Sequence, residues 1–143
     1  MKVVEPRTVQ DFELYFDLRF HVLRKPWNRP PGSEKDELEE GSLHAMLLDD
    51  QNEVAGVCRM QYNGPDEAQL RYMAIRADLQ GKGFGKLLLD HFEIIARKQK
   101  LKYITLQARE NAVSFYKRNG YEVKEKTMLL WDTIQHYRME KQL

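Results

Sequence analysis

The segment Gln80-Gly81-Lys82-Gly83-Phe84-Gly85-Lys86 is where residue types and spacing in this chain could do chemistry. Glycine at alternate positions strips side-chain bulk from the backbone, and Lys82 and Lys86 add positive charge. A helical pattern follows at once, with Phe84, Leu87, Leu88, His91, Ile94 and Ile95 forming an apolar stripe that predicts a helix over Gly83–Lys98. The N-terminus of a helix presents unpaired N–H groups and partial positive charge, so a bare backbone there can hold a phosphate. The same glycines would serve a turn that only packs a helix tightly against a strand, and spacing alone does not separate the two uses. Two nucleotide patterns are excluded. A Walker loop needs a glycine five positions before Gly85 and Ser or Thr after Lys86, where the chain has Leu87. A dinucleotide fingerprint counted from Gly81 and Gly83 needs glycine at Lys86.

The elements that must position this segment follow from periodicity. Val3 and Val4 predict a short strand, and Thr8 caps a helix carrying Phe12, Phe16, Leu18 and Leu23. Pro26, Pro30, Pro31 and Gly32 break regular structure, so the stretch up to Gly41 reads as a loop with an acidic run, Glu34 to Glu40. Leu43–Leu48 and Glu53–Tyr62 read as a hairpin about a turn at Asp49–Asn52, and Ala68–Ile75 adds a third antiparallel strand. Tyr103–Leu106 is a short strand, Asn111–Arg118 a helix stopped by Asn119-Gly120, and Tyr121–Val123, Met128–Trp131 and His136–Met139 are closing strands. A hairpin meander followed by strand, helix and strand indicates an α/β or α+β sheet covered by helices.

With these residues placed, the chain resembles the GNAT superfamily of N-acetyltransferases. Their coenzyme A signature, Q/R-x-x-G-x-G/A, is matched by Gln80, Gly83 and Gly85. The resemblance extends to Leu70-Arg71-Tyr72-Met73-Ala74-Ile75 upstream, and downstream to Asn111-Ala112-Val113-Ser114-Phe115-Tyr116 with Asn119-Gly120-Tyr121. It implies one domain over residues 1–143, with a mixed, largely antiparallel sheet of about seven strands and about four helices. Acetyl-CoA is the implied acyl donor, without a metal. Gln80, Gly81, Lys82, Gly83, Phe84, Gly85 and Lys86 would hold the pyrophosphate, Met73, Ala74 and Ile75 the pantetheine, and Asn111 the coenzyme arm. Tyr116 would protonate the departing thiolate, a task a phenol can perform without prior charge; Phe115, Tyr116 and Tyr121 would equally serve as core aromatics.

The acceptor amine must lose a proton, since a group with a pKa of about 10.4 is almost wholly charged at neutral pH. His136, His44 and Glu67 are the base candidates, Glu67 at the edge of the loop before its strand; His21 and His91 read as packing residues. The resemblance puts the acceptor near the first helix and its following loop, where Arg24 and Trp27 could recognise it; there the mixed charges could also simply pair in solvent. The expected acceptor is a primary amine of a small molecule or peptide, attacking directly. A coenzyme A-binding regulatory module without catalysis is the alternative. The net charge of +1 removes any global case for nucleic acid or acidic membranes. No apolar run approaches about 20 residues, and the first residues lack a signal-peptide core, so a cytoplasmic protein is expected. Cys58 is alone, and an unpaired sheet edge could join two copies.

Overall fold

The computed structural model describes residues 1–143 throughout. Its strands are β1 (Lys2–Val4), β2 (Leu43–Leu48), β3 (Val54–Tyr62), β4 (Glu67–Ile75), β5 (Tyr103–Arg109), β6 (Glu122–Leu130) and β7 (Ile134–Gln142). The α-helices are α1 (Val9–Leu23), α2 (Gly85–Lys98) and α3 (Val113–Arg118), and three single 3-10 turns lie at Lys25–Trp27, Ala77–Leu79 and Glu110–Ala112. The seven strands form one sheet in the order β1-β2-β3-β4-β5-β7-β6. Pairing is parallel at β4–β5 and antiparallel at β1–β2, β2–β3, β5–β7 and β6–β7. The chain divides into two compact units, Met1–Gln61 with Tyr72–Phe92, and Tyr62–Arg71 with Glu93–Leu143.

In the first unit, Thr8 caps α1 as its sequence suggests: its hydroxyl accepts from Asp11 N at 3.0 Å, and the Asp11 carboxylate accepts from Thr8 N at 3.1 Å. The helix buries Tyr15, Arg19 and Leu23 at fourfold spacing. Tyr15 and Leu23 join Met46, Val57 and Ala74 in one core cluster. The turn between β2 and β3 closes as expected, with Asp49 N donating to Glu53 O at 2.9 Å and the Asp49 carboxylate taking the amides of Gln51 and Glu53. In the second unit, Ile104, Leu106 and Met139 are buried on β5 and β7, and Tyr121 is buried with its amide donating to Tyr116 O at 3.0 Å.

Three expectations are corrected. The helix after the glycines starts at Gly85 rather than Gly83, and its buried face is Leu88, Leu89, Phe92, Glu93 and Ala96, leaving Leu87 and Ile94 exposed. Glu93 explains the rotated stripe, because its carboxylate is neutralised by Lys141 at 2.7 Å and accepts from the Tyr121 hydroxyl at 3.1 Å. The segments Tyr121–Val123 and Met128–Trp131 are one long strand, β6, whose register shifts twice against β7 and whose polar middle is the exposed edge of the sheet. Trp131 and Asp132 both take positive φ, 52° and 55°, in the hairpin that follows. Such turns normally announce themselves with Asn-Gly, and Trp131-Asp132 carries no such signal. The final helix also starts late, at Val113, after a 3-10 turn through Asn111.

Candidate active site

The glycine segment is set by what precedes it. Where β4 ends, Arg76 N donates to Ala55 O at 2.9 Å, and the Arg76 guanidinium pairs with Asp49 at 3.0 Å and Asp78 at 2.8 Å. After the 3-10 turn, Gln80 is extended and its side-chain amide folds back onto Ile75 O at 2.8 Å. Gly81 and Gly83 have φ of +77° and +82°, a region that penalises any residue with a Cβ. A Cβ built on either would meet nothing within 4 Å. Backbone conformation therefore demands both glycines, and open space rather than tight packing lies above them. Gly56 is the opposite case, since a Cβ there would come within 2.8 Å of Ile75 Cδ1.

Helical bonding begins with Lys86 N to Gly83 O at 3.2 Å and Leu87 N to Phe84 O at 3.1 Å. The amides before Lys86 thus lie ahead of the ladder of α2, at the positive end of a helix of 14 residues. Gly85 is buried at the helix start, Phe84 is half-buried and Lys82 is exposed on the turn. Lys86 is partly spent within the helix, its ammonium 2.6 Å from Asp90. On β4, Ala74 is buried, and Met73 and Ile75 are half-buried.

The base candidates differ in their surroundings. Both ring nitrogens of His44 are engaged: Nε2 lies 2.7 Å from Glu39 O and Nδ1 lies 2.8 Å from the Tyr15 hydroxyl. A carbonyl only accepts, so Nε2 carries the proton and the lone pair on Nδ1 faces Tyr15. Burial depresses the pKa of this imidazole below its usual value. Glu67 is the first residue of β4, not a loop residue, and its carboxylate accepts from Tyr103 Oη at 2.7 Å and Asn63 Nδ2 at 2.5 Å. His136 is buried on β7, paired in register with Arg109, and its Nδ1 lies 3.0 Å from Ile134 O. A carbonyl only accepts, so that bond places the proton of the neutral ring on Nδ1.

Tyr116, on α3, is 8% exposed, with its ring edge-on to Phe115 and Tyr121 at centroid distances of 5.1 and 5.8 Å. Asn111 is exposed in the turn before α3. Cys58 is fully buried, and burial pushes its thiol up to about 12. No group of His, Cys, Asp or Glu is arranged to hold a metal ion, and no helix is long and apolar enough to cross a membrane.

The loop after α1 departs most from the picture of charges pairing in solvent. Its carboxylates turn inward onto two fully buried arginines: Arg19 meets Glu39 at 2.8 Å, and Arg59 meets Asp36 at 2.6 Å and Glu39 at 2.9 Å. Arg19 also donates to Glu34 O and to the Tyr15 hydroxyl, each at 3.0 Å. Tyr72 joins them, its hydroxyl donating to Asp36 at 3.2 Å. Arg24 donates to Ser33 O and Leu23 O, each at 3.0 Å, and its guanidinium lies 5.7 Å from the Tyr72 ring centre. Trp27 is half-buried in the 3-10 turn that follows. Sequence reasoning placed Arg19 only among the mixed charges that could meet an acceptor or pair in solvent, and missed Arg59, although each is a cation on an otherwise buried face, which is rare unless a partner is buried with it.

Known proteins agree with this architecture. The family model for the acetyltransferase (GNAT) domain matches residues 28–143. The chain is 30% identical to the uncharacterised N-acetyltransferase YjcF of Bacillus subtilis over 142 residues, covering 99% of each protein. It is 29% identical over 125 residues to the [ribosomal protein bS18]-alanine N-acetyltransferase of Haemophilus influenzae, covering 85% of this chain and 82% of the relative. Its fold is similar to that of an aminoglycoside 6'-N-acetyltransferase complexed with coenzyme A, with a TM-score of 0.80 at 17% identity over 99% of this chain and 97% of the other. By its matched residues and its near full-length relatives, the chain belongs to the GNAT acetyltransferases.

Proposed function

We propose that the chain is a cytoplasmic enzyme, a single catalytic domain over residues 1–143, that transfers an acetyl group from acetyl-CoA to a primary amine of a small molecule or peptide. One observation carries this reading: Gly81 and Gly83 hold left-handed conformations under open space at the head of α2. A pyrophosphate is the kind of group that such a bared, positive backbone accepts. In this reading Gln80 to Lys86 take the pyrophosphate, backbone groups of Met73, Ala74 and Ile75 take the pantetheine, and Asn111 takes the coenzyme arm. The solved relative carrying coenzyme A supports the choice of donor.

Acetyl transfer by direct attack needs a neutral amine, a polarised thioester and a proton for the departing sulfur. His136 is read as the base, buried on β7 with its Nδ1 anchored on Ile134 O. His44 and Glu67 are committed to Tyr15 and Tyr103, and are read as positioning groups. Tyr116 gives its phenolic proton to the thiolate. Cys58 carries no acyl group: a buried thiol with a raised pKa is a poor nucleophile, which favours attack within a ternary complex. Arg24 and Trp27 remain the acceptor-side candidates. The relatives act on acceptors as unlike as a ribosomal-protein alanine and an aminoglycoside, so the amine is to be found by screening.

The test is calorimetric titration with acetyl-CoA, followed by thiol release against a panel of amines, peptides and amino sugars. Tight binding with amine-dependent thiol release is expected. Binding without release from any amine would favour a coenzyme-sensing role, and no binding would end both readings.

A further inference from the structure

Tyr72 sits within β4 with φ of +57°, a left-handed conformation that a bulky residue with a Cβ resists. Something must hold it there. The Arg19 guanidinium lies 4.3 Å from the centre of its ring and that of Arg59 lies 4.9 Å away. Both arginines are fully buried, where attraction between a cation and a ring is strongest. They are themselves fixed, sharing one oxygen of Glu39, while Asp36 binds both the Arg59 fork and the Tyr72 hydroxyl. Glu39 also accepts from Asp36 N at 3.0 Å, which ties the two acids to one another. The ring thus has two guanidinium groups against it and a carboxylate at its tip.

The next three residues of the strand are Met73, Ala74 and Ile75. We infer that Tyr72 is a positioning residue for the acyl donor: the clamp of Arg19 and Arg59 on its ring enforces the left-handed backbone that sets the course of Met73 to Ile75. This rests on the reading of those residues as the pantetheine-binding segment. The buried charges of the loop then acquire a purpose: Asp36 and Glu39 hold the arginines, the arginines hold the ring, and the ring holds the strand.

The experiment separates backbone conformation from ring contact by comparing Tyr72→Gly with Tyr72→Ala. Both variants lose the clamp, but glycine adopts positive φ freely whereas alanine is biased against it by roughly 5- to 30-fold in population. Acetyl-CoA affinity measured by calorimetry should fall about tenfold or more in Tyr72→Ala and recover to within about threefold of wild type in Tyr72→Gly. A residue that serves packing alone would give the reverse order or equal losses, because glycine removes more contact than alanine. If Tyr72→Ala does not fold, Tyr72→Asn against Tyr72→Thr makes the same comparison, since asparagine tolerates the left-handed region and a β-branched residue does not. Equal affinities within each pair, with wild type binding normally, would overturn the inference. Failure of wild type to bind acetyl-CoA would instead overturn the donor site on which it rests.

Discussion

Replacing Gly83 by aspartate or by asparagine is the most discriminating perturbation of the proposed donor site. The two side chains have nearly the same shape, and both tolerate the positive φ of +82° better than other residues with a Cβ. Nothing lies within 4 Å of the new Cβ, so neither variant clashes with the protein. Each should lose about 1 kcal/mol of stability from backbone strain, a fall of about 3–5 °C in melting temperature. Aspartate should be the more stable of the two, because a carboxylate near a helix N-terminus gains about 0.3–1 kcal/mol. Binding should move the other way. A carboxylate about 5–6 Å from a phosphate charge, at an effective dielectric of about 40, is repelled by about 1.5 kcal/mol. A pyrophosphate carries roughly two such charges, so the penalty is about 3 kcal/mol, or about 150-fold in Kd. Asparagine should cost less than about tenfold. Calorimetric titration with acetyl-CoA at two salt concentrations checks this, with the gap between variants narrowing at high salt. If aspartate and asparagine bind alike, or if both bind like wild type, the pyrophosphate does not sit on this turn.

Tyr116→Phe should leave acetyl-CoA affinity within about twofold and lower kcat by about 10²-fold, and His136→Asn should do likewise while removing the acidic limb, the fall in rate at low pH, from the pH–rate profile. Unchanged turnover in either would return that residue to packing. Cys58→Ala should retain turnover, and wild-type Cys58 should resist alkylation at pH 8 until the chain is unfolded, since its thiol is pushed up to about 12; rapid labelling of the native protein would contradict its burial. The His44 pKa is depressed by burial, so the unfolded chain binds its proton more readily. Stability is then complete above pH of about 6.5 and falls as the pH drops below that value. Burial depresses the His91 imidazole in the same sense, so melting curves from pH 7.5 to 5 should show this decline, His44→Asn should shallow it and His44→Asn with His91→Asn should shallow it further.

How much of this could be read in the residues depended on whether a feature was local. The cap at Thr8, the turn at Asp49 and the glycine segment each depend on neighbours within a few positions, and each was legible. The face of α2 was not. Glu93 is buried because Lys141 and Tyr121 neutralise and bind it, and those partners lie 48 and 28 positions away. The unity of β6 was hidden for a related reason: its polar middle, Lys124 to Lys126, looks like a break, yet an edge strand with irregular register tolerates such residues. In the candidate site, the glycine-rich turn before α2 was legible as a turn, while the cluster of Arg19, Arg59 and Tyr72 was not, because no spacing rule connects a helix cation, a strand cation and a strand aromatic.

In the proposed reading, which sets the acceptor beside the loop after α1, that loop's inward-facing carboxylates bear on how the protein could change its acceptor. Such a loop would ordinarily be the easiest part of an enzyme to diversify, by random substitution or by grafting from a relative. Here Asp36 and Glu39 together balance two buried cations, so altering either alone leaves Arg19 and Arg59 one carboxylate short in the interior, at a cost of several kcal/mol. Variation in this segment is therefore epistatic. Position 36 is free to change only together with position 59, and position 39 only with 19 and 59, so a library that varies the loop alone will return mostly unstable chains, while one that varies loop and arginines together can reach new acceptors.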